Sequence, residues 1–256
     1  MCRMVKPVNA ISHPDAATPW RKEPAKVRKT LAVSGLRDLN KAKRRDAILD
    51  AAVTLLGTRD SRDITTEEIA ALAGVSAATV YNLVGTRNEV MYQLLGRILT
   101  DLAESLRALD PSDPIAAAQL VIDHTVRAFV SNPNAYRQVV AVAQRAAAAQ
   151  PTPIEPSSFQ VTAMRQAQAL GIIRNDIDAS GLARQIFLSY TGAAMLWSSG
   201  RLDDAGLLTA ARHGLFTALA AAATDDHRDQ FLDRMRPLGK TLEKKAWKFK
   251  GPPNAT

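Results

Sequence analysis

Apolar residues recur at three- and four-residue spacing along most of this chain, and the pattern predicts helices nearly throughout. The first clear stripe is Ile48, Leu49, Ala52, Leu55 and Leu56, on a helix that begins near Lys41. A polar break from Gly57 to Asp63 follows. Thr65 and Glu68 then form a capping box, in which each residue satisfies a free backbone N–H of the other, so a second helix starts there and runs through Ile69 to Ala73. Gly74 can take the left-handed conformation that ends it. Ser76 caps a third helix reaching about Leu83, Gly85 stops that one, and Thr86 with Glu89 makes a second capping box for a fourth.

The fourth helix carries Val90, Leu94, Leu95, Ile98, Leu99, Leu102, Leu106 and Leu109 as a broad apolar stripe ending at Asp110-Pro111. Beyond it the chain alternates helix and short turn. Ile115 to Val130 ends at Asn132-Pro133, and Ala135 to Ala149 ends at Gln150-Pro151. A proline-rich loop leads into Phe159 to Leu170, stopped by Gly171, and two strong segments follow, Ser180 to Trp197 and Asp203 to Ala223. No alternating strand pattern stands out. The chain is predicted to be all-α.

Two short helices joined by a glycine turn, the second capped by serine, form a helix-turn-helix, whose second helix is shaped to enter the DNA major groove. On a helical wheel Val80, Leu83 and Val84 fall on the packing side, and Ala78, Tyr81 and Asn82 on the outward side. Ala77 and Ala78 are small enough for close approach to the groove. Ser76 and Thr79 offer hydroxyls to phosphate oxygens, beside the positive end of the helix dipole, and Thr65 and Thr66 offer theirs at the preceding helix start. Tyr81 presents a phenol to phosphate or a ring to a thymine methyl. Asn82 matches an adenine edge, a pairing worth ~1–3 kcal/mol of discrimination. Lys41, Lys43, Arg44 and Arg45, before the first helix, and Arg87, at the start of the fourth, would clamp the flanking backbone.

Charge agrees with such a partner: the 256 residues carry a formal +8, and the pI is near 9.8. Residues 1–40, with Pro7, Pro14, Pro19 and Pro24 and no sustained apolar period, are expected to be a flexible basic arm. Residues 226–256 are expected to be a basic tail in which Trp247 and Phe249 interleave with lysines; both segments read either as phosphate-gripping arms or as solvated termini. The hydrophobic 46% is built from Ala, Leu, Val and Ile, a helix-forming mixture large enough for a real core. Cys2 is the sole cysteine, so no internal disulfide and no thiolate metal site form. His13, His124, His213 and His227 lack metal-ligand spacing, and no nucleophile–base pattern or phosphate loop is present, so neither a metal, a cofactor nor an enzyme is predicted. No window suits a membrane span, and the first residues lack the apolar core of a signal peptide; a cytoplasmic protein is expected.

The segment AGVSAATVYNLVGTRNEV resembles the recognition segment of the TetR family of bacterial transcriptional regulators, which reads AGVS-x-x-TLY-x-x-F-x-[ST]-K-x-x-L. Ala73, Gly74, Val75, Ser76, Thr79 and Tyr81 match directly; Val80, Thr86, Arg87 and Val90 stand for the leucine, cap, basic residue and final leucine. Upstream, Arg44, Ile48, Leu49, Ala51, Ala52, Leu55, Thr65, Ile69 and Ala70 match without a gap. Four positions depart from the pattern: Val84 replaces phenylalanine, Asp60-Ser61 replaces Gly-Tyr, Ala77 replaces a frequent lysine and Leu83 an aromatic or histidine.

The resemblance implies a helix-turn-helix domain over residues 41–100 and a larger helical ligand-binding and dimerisation domain over 101–225. It implies a homodimeric repressor on a palindromic double-stranded operator, released by a small hydrophobic effector through movement of the fourth helix. Ser180 to Trp197 and Asp203 to Ala223 would then form the dimer interface, with Ser189, Gly192, Ala193, Ala194, Gly214 and Ala218 allowing close packing. Candidate effector contacts are the large side chains Phe129, Tyr136, Phe159, Met164, Phe187, Tyr190 and Trp197, with His124, Arg127 and Gln144 as polar fixtures. The competing reading is a ligand-independent architectural DNA-binding protein with weak sequence preference and steep salt dependence.

Overall fold

The computed structural model describes residues 25–110, 112–146 and 157–244. The expectations placed on residues 1–24, on Gln144 and on Trp247 and Phe249 lie outside what its side chains describe. Among the described residues there are ten α-helices and one 3-10 turn, and the chain is all-α. No described helix is long and apolar enough to cross a membrane.

The first correction comes at once. Helix α1 spans Ala25–Thr58, so it begins well before Lys41, and residues 25–40 are helical rather than a flexible arm. Every residue from Leu36 to Asp46 is exposed, so that part of the helix needs no apolar stripe. Its Ala, Lys, Arg and Leu content supports helix by propensity alone, which a periodicity criterion does not register. The described residues divide into two units, one ending at Ala42 and the other beginning at Lys43.

In the second unit, α2 (Thr66–Leu72), α3 (Ala77–Leu83) and α4 (Arg87–Arg107) start where the caps predict. Thr65 Oγ1 accepts the Glu68 amide at 3.2 Å while Glu68 Oε2 accepts the Thr65 amide at 2.9 Å. Thr86 and Glu89 repeat the exchange at 3.4 and 2.6 Å. At the end of α2, Gly74 sits at φ +67°, its amide donates to Ala71 O and the Val75 amide to Ala70 O. That is a Schellman stop, and it turns the chain into α3. Ile48, Leu49, Ala52, Leu56, Ile64, Ile69, Val80, Val84, Val90 and Met91 are buried together beneath these helices. Val84, although smaller than phenylalanine, is among them at 6% exposure.

The rest is α5 (Pro114–Ser131), α6 (Pro133–Ala146), α7 (Ser158–Ala169), α8 (Ala179–Ser198) and α9 (Asp204–Ala222), close to the predicted segments. The second correction is α10, Asp225–Lys244: this stretch, expected to be tail, is a helix packed on α9. Phe231 is fully buried, and Leu232, Met235 and Leu238 pack beside it at helical spacing. Dense charge and Pro237, which removes a helical hydrogen bond, hide this stripe from a sequence reading. Between α7 and α8 the backbone pairs with the α9–α10 junction, Arg174 N to Ala222 O and Thr224 N to Ile172 O, both at 3.0 Å.

Candidate nucleic-acid interface and helical interior

Helix α3 divides its side chains as the wheel requires. Val80 is fully buried, Leu83 is half-buried, and Ala78, Tyr81 and Asn82 are exposed. Tyr81 is 50% exposed, unusual for so large a ring, and no hydrogen bond to a described residue holds Asn82. Ser76 Oγ accepts the Thr79 amide at 3.1 Å, and the two hydroxyls lie 2.8 Å apart. One hydroxyl proton is therefore shared between them, and the other is left to face outward. Lys41, Lys43 and Arg44 are exposed on α1; Arg45 is exposed too and donates to Gln93.

Three expected DNA contacts are placed differently. Thr66 is 7% exposed, because the first position of α2 faces the core. Thr65 is exposed, but its hydroxyl donates to Glu68 Oε2 at 3.2 Å inside the capping box. Arg87 clamps its own protein: Nη1 donates to Arg62 O at 3.1 Å and to Ile64 O at 3.4 Å, tying the start of α4 to the turn before α2.

The ion pairs around that turn had no sequence signal, since their partners are brought together by the fold. Arg59 Nη1 meets Glu68 Oε1 at 2.6 Å, and Arg59 also donates to Asp63 O. The Arg59 guanidinium and the Thr65 amide hold the Glu68 carboxyl below the ordinary glutamate value. Glu89 is lowered in the same way by the Thr86 amide and hydroxyl. Arg62 brings Asp60 down to about 2. All these carboxylates thus remain charged in the fold, supporting helix starts where negative charge is favoured.

In the larger helical part the structure brings three of the seven candidate effector residues into one cluster. Phe129 stacks on Trp197 with centroids 5.7 Å apart and meets Tyr136 at 5.9 Å. Trp197 Nε1 donates to Asp204 Oδ1 at 2.7 Å, and Arg137 lies over the indole at 5.1 Å while reaching the same carboxylate oxygen at 3.2 Å. Met164 is fully buried; Phe159 and Phe187 are half-buried. Burial pushes the Tyr190 phenol well above the tyrosine range, and the neighbouring Thr125 hydroxyl opposes this. Gln160, which the sequence did not single out, is 2% exposed; its amide donates to Ala118 O at 3.0 Å and its carbonyl oxygen is unpartnered.

Comparison with known proteins agrees with the geometry of the reading head. The family model described as bacterial regulatory proteins, tetR family, matches residues 48–83, from the buried face of α1 to the end of α3. Over these residues the chain is similar to the TetR family. It is 33% identical over 79 residues to an HTH-type transcriptional regulator BetI of Agrobacterium fabrum, a match covering 29% of this chain and 38% of that protein. The chain thus spans well under half the length of that relative. Among solved structures, a TetR transcription regulator from Haloarcula marismortui superposes with a TM-score of 0.57 at 18% identity, covering 72% of this chain and all of that one. SmeT, the repressor of the Stenotrophomonas maltophilia multidrug efflux pump SmeDEF, superposes at 0.54 with 23% identity, covering 71% of this chain and 91% of that one. At these identities the two structures speak for the fold alone.

Proposed function

We propose that this protein is a ligand-responsive transcriptional regulator, acting in the cytoplasm as a homodimeric repressor of a palindromic operator. The observation that carries this reading is the division of α3, with Val80 buried and Ala78, Tyr81 and Asn82 exposed, together with the exposure of Lys43 and Arg44 on α1. Tyr81 and the outward hydroxyl of the Ser76–Thr79 pair serve the phosphate backbone, and Asn82 reads a base. Dimerisation supplies the second reading head, since successive major grooves lie ~34–36 Å apart.

The dimer face is carried by α8. Leu188 and Met195, exposed to 60% and 52%, lie seven residues apart on one side of it, with open space around Gly192 between them. Ser189, Ala193, Ala194 and Gly214 serve the protomer instead. Ala193 and Ala194 are buried, and a Cβ on Gly214 would overlap Ser189 Oγ, so that pair brings α8 and α9 together within one chain. A small, largely hydrophobic effector enters the helical interior. Support comes from the Phe129–Trp197–Tyr136 cluster and from the unpartnered Gln160 side-chain oxygen, which a polar group on the effector would satisfy.

The test is fluorescence anisotropy with the duplex upstream of the protein's own gene against a shuffled duplex, across a salt series. Tight binding to the native duplex alone, one dimer per site, is expected. Equal binding to both, with a steep salt slope, would replace this reading with the architectural one, which the exposed basic residues Lys41 to Arg45 also suit.

A further inference from the structure

An interior built from Ala, Leu, Val and Ile has few places for a polar side chain, and Gln160 occupies one. It lies on the first turn of α7 and is 2% exposed, with Ala163, Met164 and Ala167 buried further along the same helix. Its Nε2 donates to Ala118 O of α5 at 3.0 Å. That bond fixes how the amide lies, because only its nitrogen end can face a carbonyl oxygen. The other end, Oε1, is buried with no donor to meet it among the described residues. Ala118 stands inside α5, where the helix already bonds its carbonyl, so the backbone does not depend on Gln160. A buried acceptor left unmet is unfavourable, and a bound molecule that offers it a donor removes the penalty.

The charges around this interior are already matched. Asp123 of α5 is held at both oxygens by Arg212 of α9, at 2.7 and 2.6 Å. Arg137 reaches Asp204 at 3.2 Å, and Arg97 meets Asp50 at 2.6 Å. Arg127, a polar fixture in the sequence pattern, is exposed. An anion brought among these groups finds no unmatched arginine and a cation no unmatched carboxylate, so either would bear its own desolvation. What stays open is uncharged in its demand: Gln160 Oε1, and the buried Arg137 Nε–H, which lacks an acceptor although Asp204 meets the charge. The two lie toward opposite ends of one face of α5. Gln160 bonds Ala118, whereas Arg137 covers Trp197, which stacks on Phe129. Ala118, Ile122, Val126 and Phe129 are buried at helical spacing along that face, ~16 Å from first to last.

We infer that Gln160 selects the effector: it takes an uncharged molecule through an O–H or N–H donated to Oε1, with the apolar body of that molecule lying along α5. Carboxylates, phosphates and ammonium compounds are disfavoured, because nothing matches their charge. A neutral acceptor oxygen further along the same molecule would meet Arg137 Nε. This selectivity rests on the effector-responsive reading above and narrows its largely hydrophobic effector to a neutral hydrogen-bond donor.

The experiment is calorimetric titration of the full chain with matched probes: para-alkylphenols of graded chain length, the methyl ethers of the same phenols, and para-alkylbenzoates. A phenol and its ether share a shape and differ in the donor. The natural protein is expected to bind the best phenol roughly fivefold to tenfold more tightly than its ether, the effect of one net hydrogen bond, and more tightly than the benzoate. Gln160→Met, close in size but without the amide, should lower phenol affinity to that of the ether and leave the ether unchanged. Thermal unfolding of the unliganded variant should show no loss of stability, since the unmet acceptor is gone; an amide with a merely structural role would lose stability instead. Should Gln160→Met fail to fold, Gln160→Asn, which draws the amide back by one methylene, takes its place in the same comparison. No DNA enters the titration, so loss of duplex selectivity would sink the regulator reading alone. Phenol and ether bound alike, no phenol bound at all, benzoate bound best, or a phenol preference that survives removal of the amide would each overturn the inference.

Discussion

Gly74 and Gly85 end the two helices of the reading head, and alanine at each should have distinct consequences. Both have positive φ, +67° and +106°, where a Cβ strains the backbone by ~1–2 kcal/mol. At Gly74 a Cβ meets nothing within 4 Å, so strain is the whole penalty. At Gly85 it would overlap Glu89 Oε2, with the carboxyl carbon at 2.7 Å and Glu89 Cβ at 3.0 Å. Glu89 must then swing away from the Thr86 amide, and the capping box of α4 loses its return bond, worth about 1 kcal/mol. Gly74→Ala is therefore expected to destabilise the reading head by ~1–2 kcal/mol and Gly85→Ala by ~2–3 kcal/mol. Urea unfolding followed by amide exchange in α2 to α4 measures both, because exchange reports this part separately from the larger one. Introducing Glu89→Ala first removes the obstructing carboxylate, so Gly85→Ala in that background should cost about 1 kcal/mol less than in the natural one. Equal penalties in the Glu89 background and in the natural one would refute the steric argument and leave backbone strain alone.

Further outcomes follow from the same geometry. Tyr81→Ala should weaken binding to every duplex, whereas Asn82→Ala should relax preference at one base pair by ~1–3 kcal/mol, read by anisotropy on single-base operator variants; uniform loss for Asn82→Ala would remove its base-reading role. Thr66→Val, at a buried site, should leave DNA affinity unchanged, and a tenfold loss would contradict the burial of that side chain. Glu68 and Glu89 have folded pKa values below the ordinary ~4.3, so the capping stabilisation is complete above that value and lost as pH falls through the lowered ones. Exchange protection at the starts of α2 and α4 should therefore decline on acidification below about pH 4.3, and a decline already complete above it would show the sign is wrong. Leu188→Glu should convert a dimer to monomers in sedimentation velocity, and an unchanged dimer would move the interface off this face of α8.

What the sequence determined by itself is local. Thr65 with Glu68, Thr86 with Glu89, Ser76 with Thr79, and the two glycines between them all act over three to six residues, so their spacing along the chain is already their geometry. The buried and exposed sides of α3 were readable for the same reason: a period of 3.6 residues orients side chains before any packing is known. Tertiary structure decided the rest. Thr66 is buried and Arg87 bonds Arg62 and Ile64 because α2 and α4 converge on one turn, which no spacing encodes. Ala193, Ala194 and Gly214 looked free for a partner subunit, yet the two alanines are buried within the chain and Gly214 packs against Ser189 where α8 meets α9. The start of α1 is helical without an apolar stripe, and α10 is helical through a proline because Phe231 anchors it to α9. Gln138 reaches Leu56, Arg59 and Ser61 across about eighty positions of chain, and contacts at such separations exist only once the helices are packed.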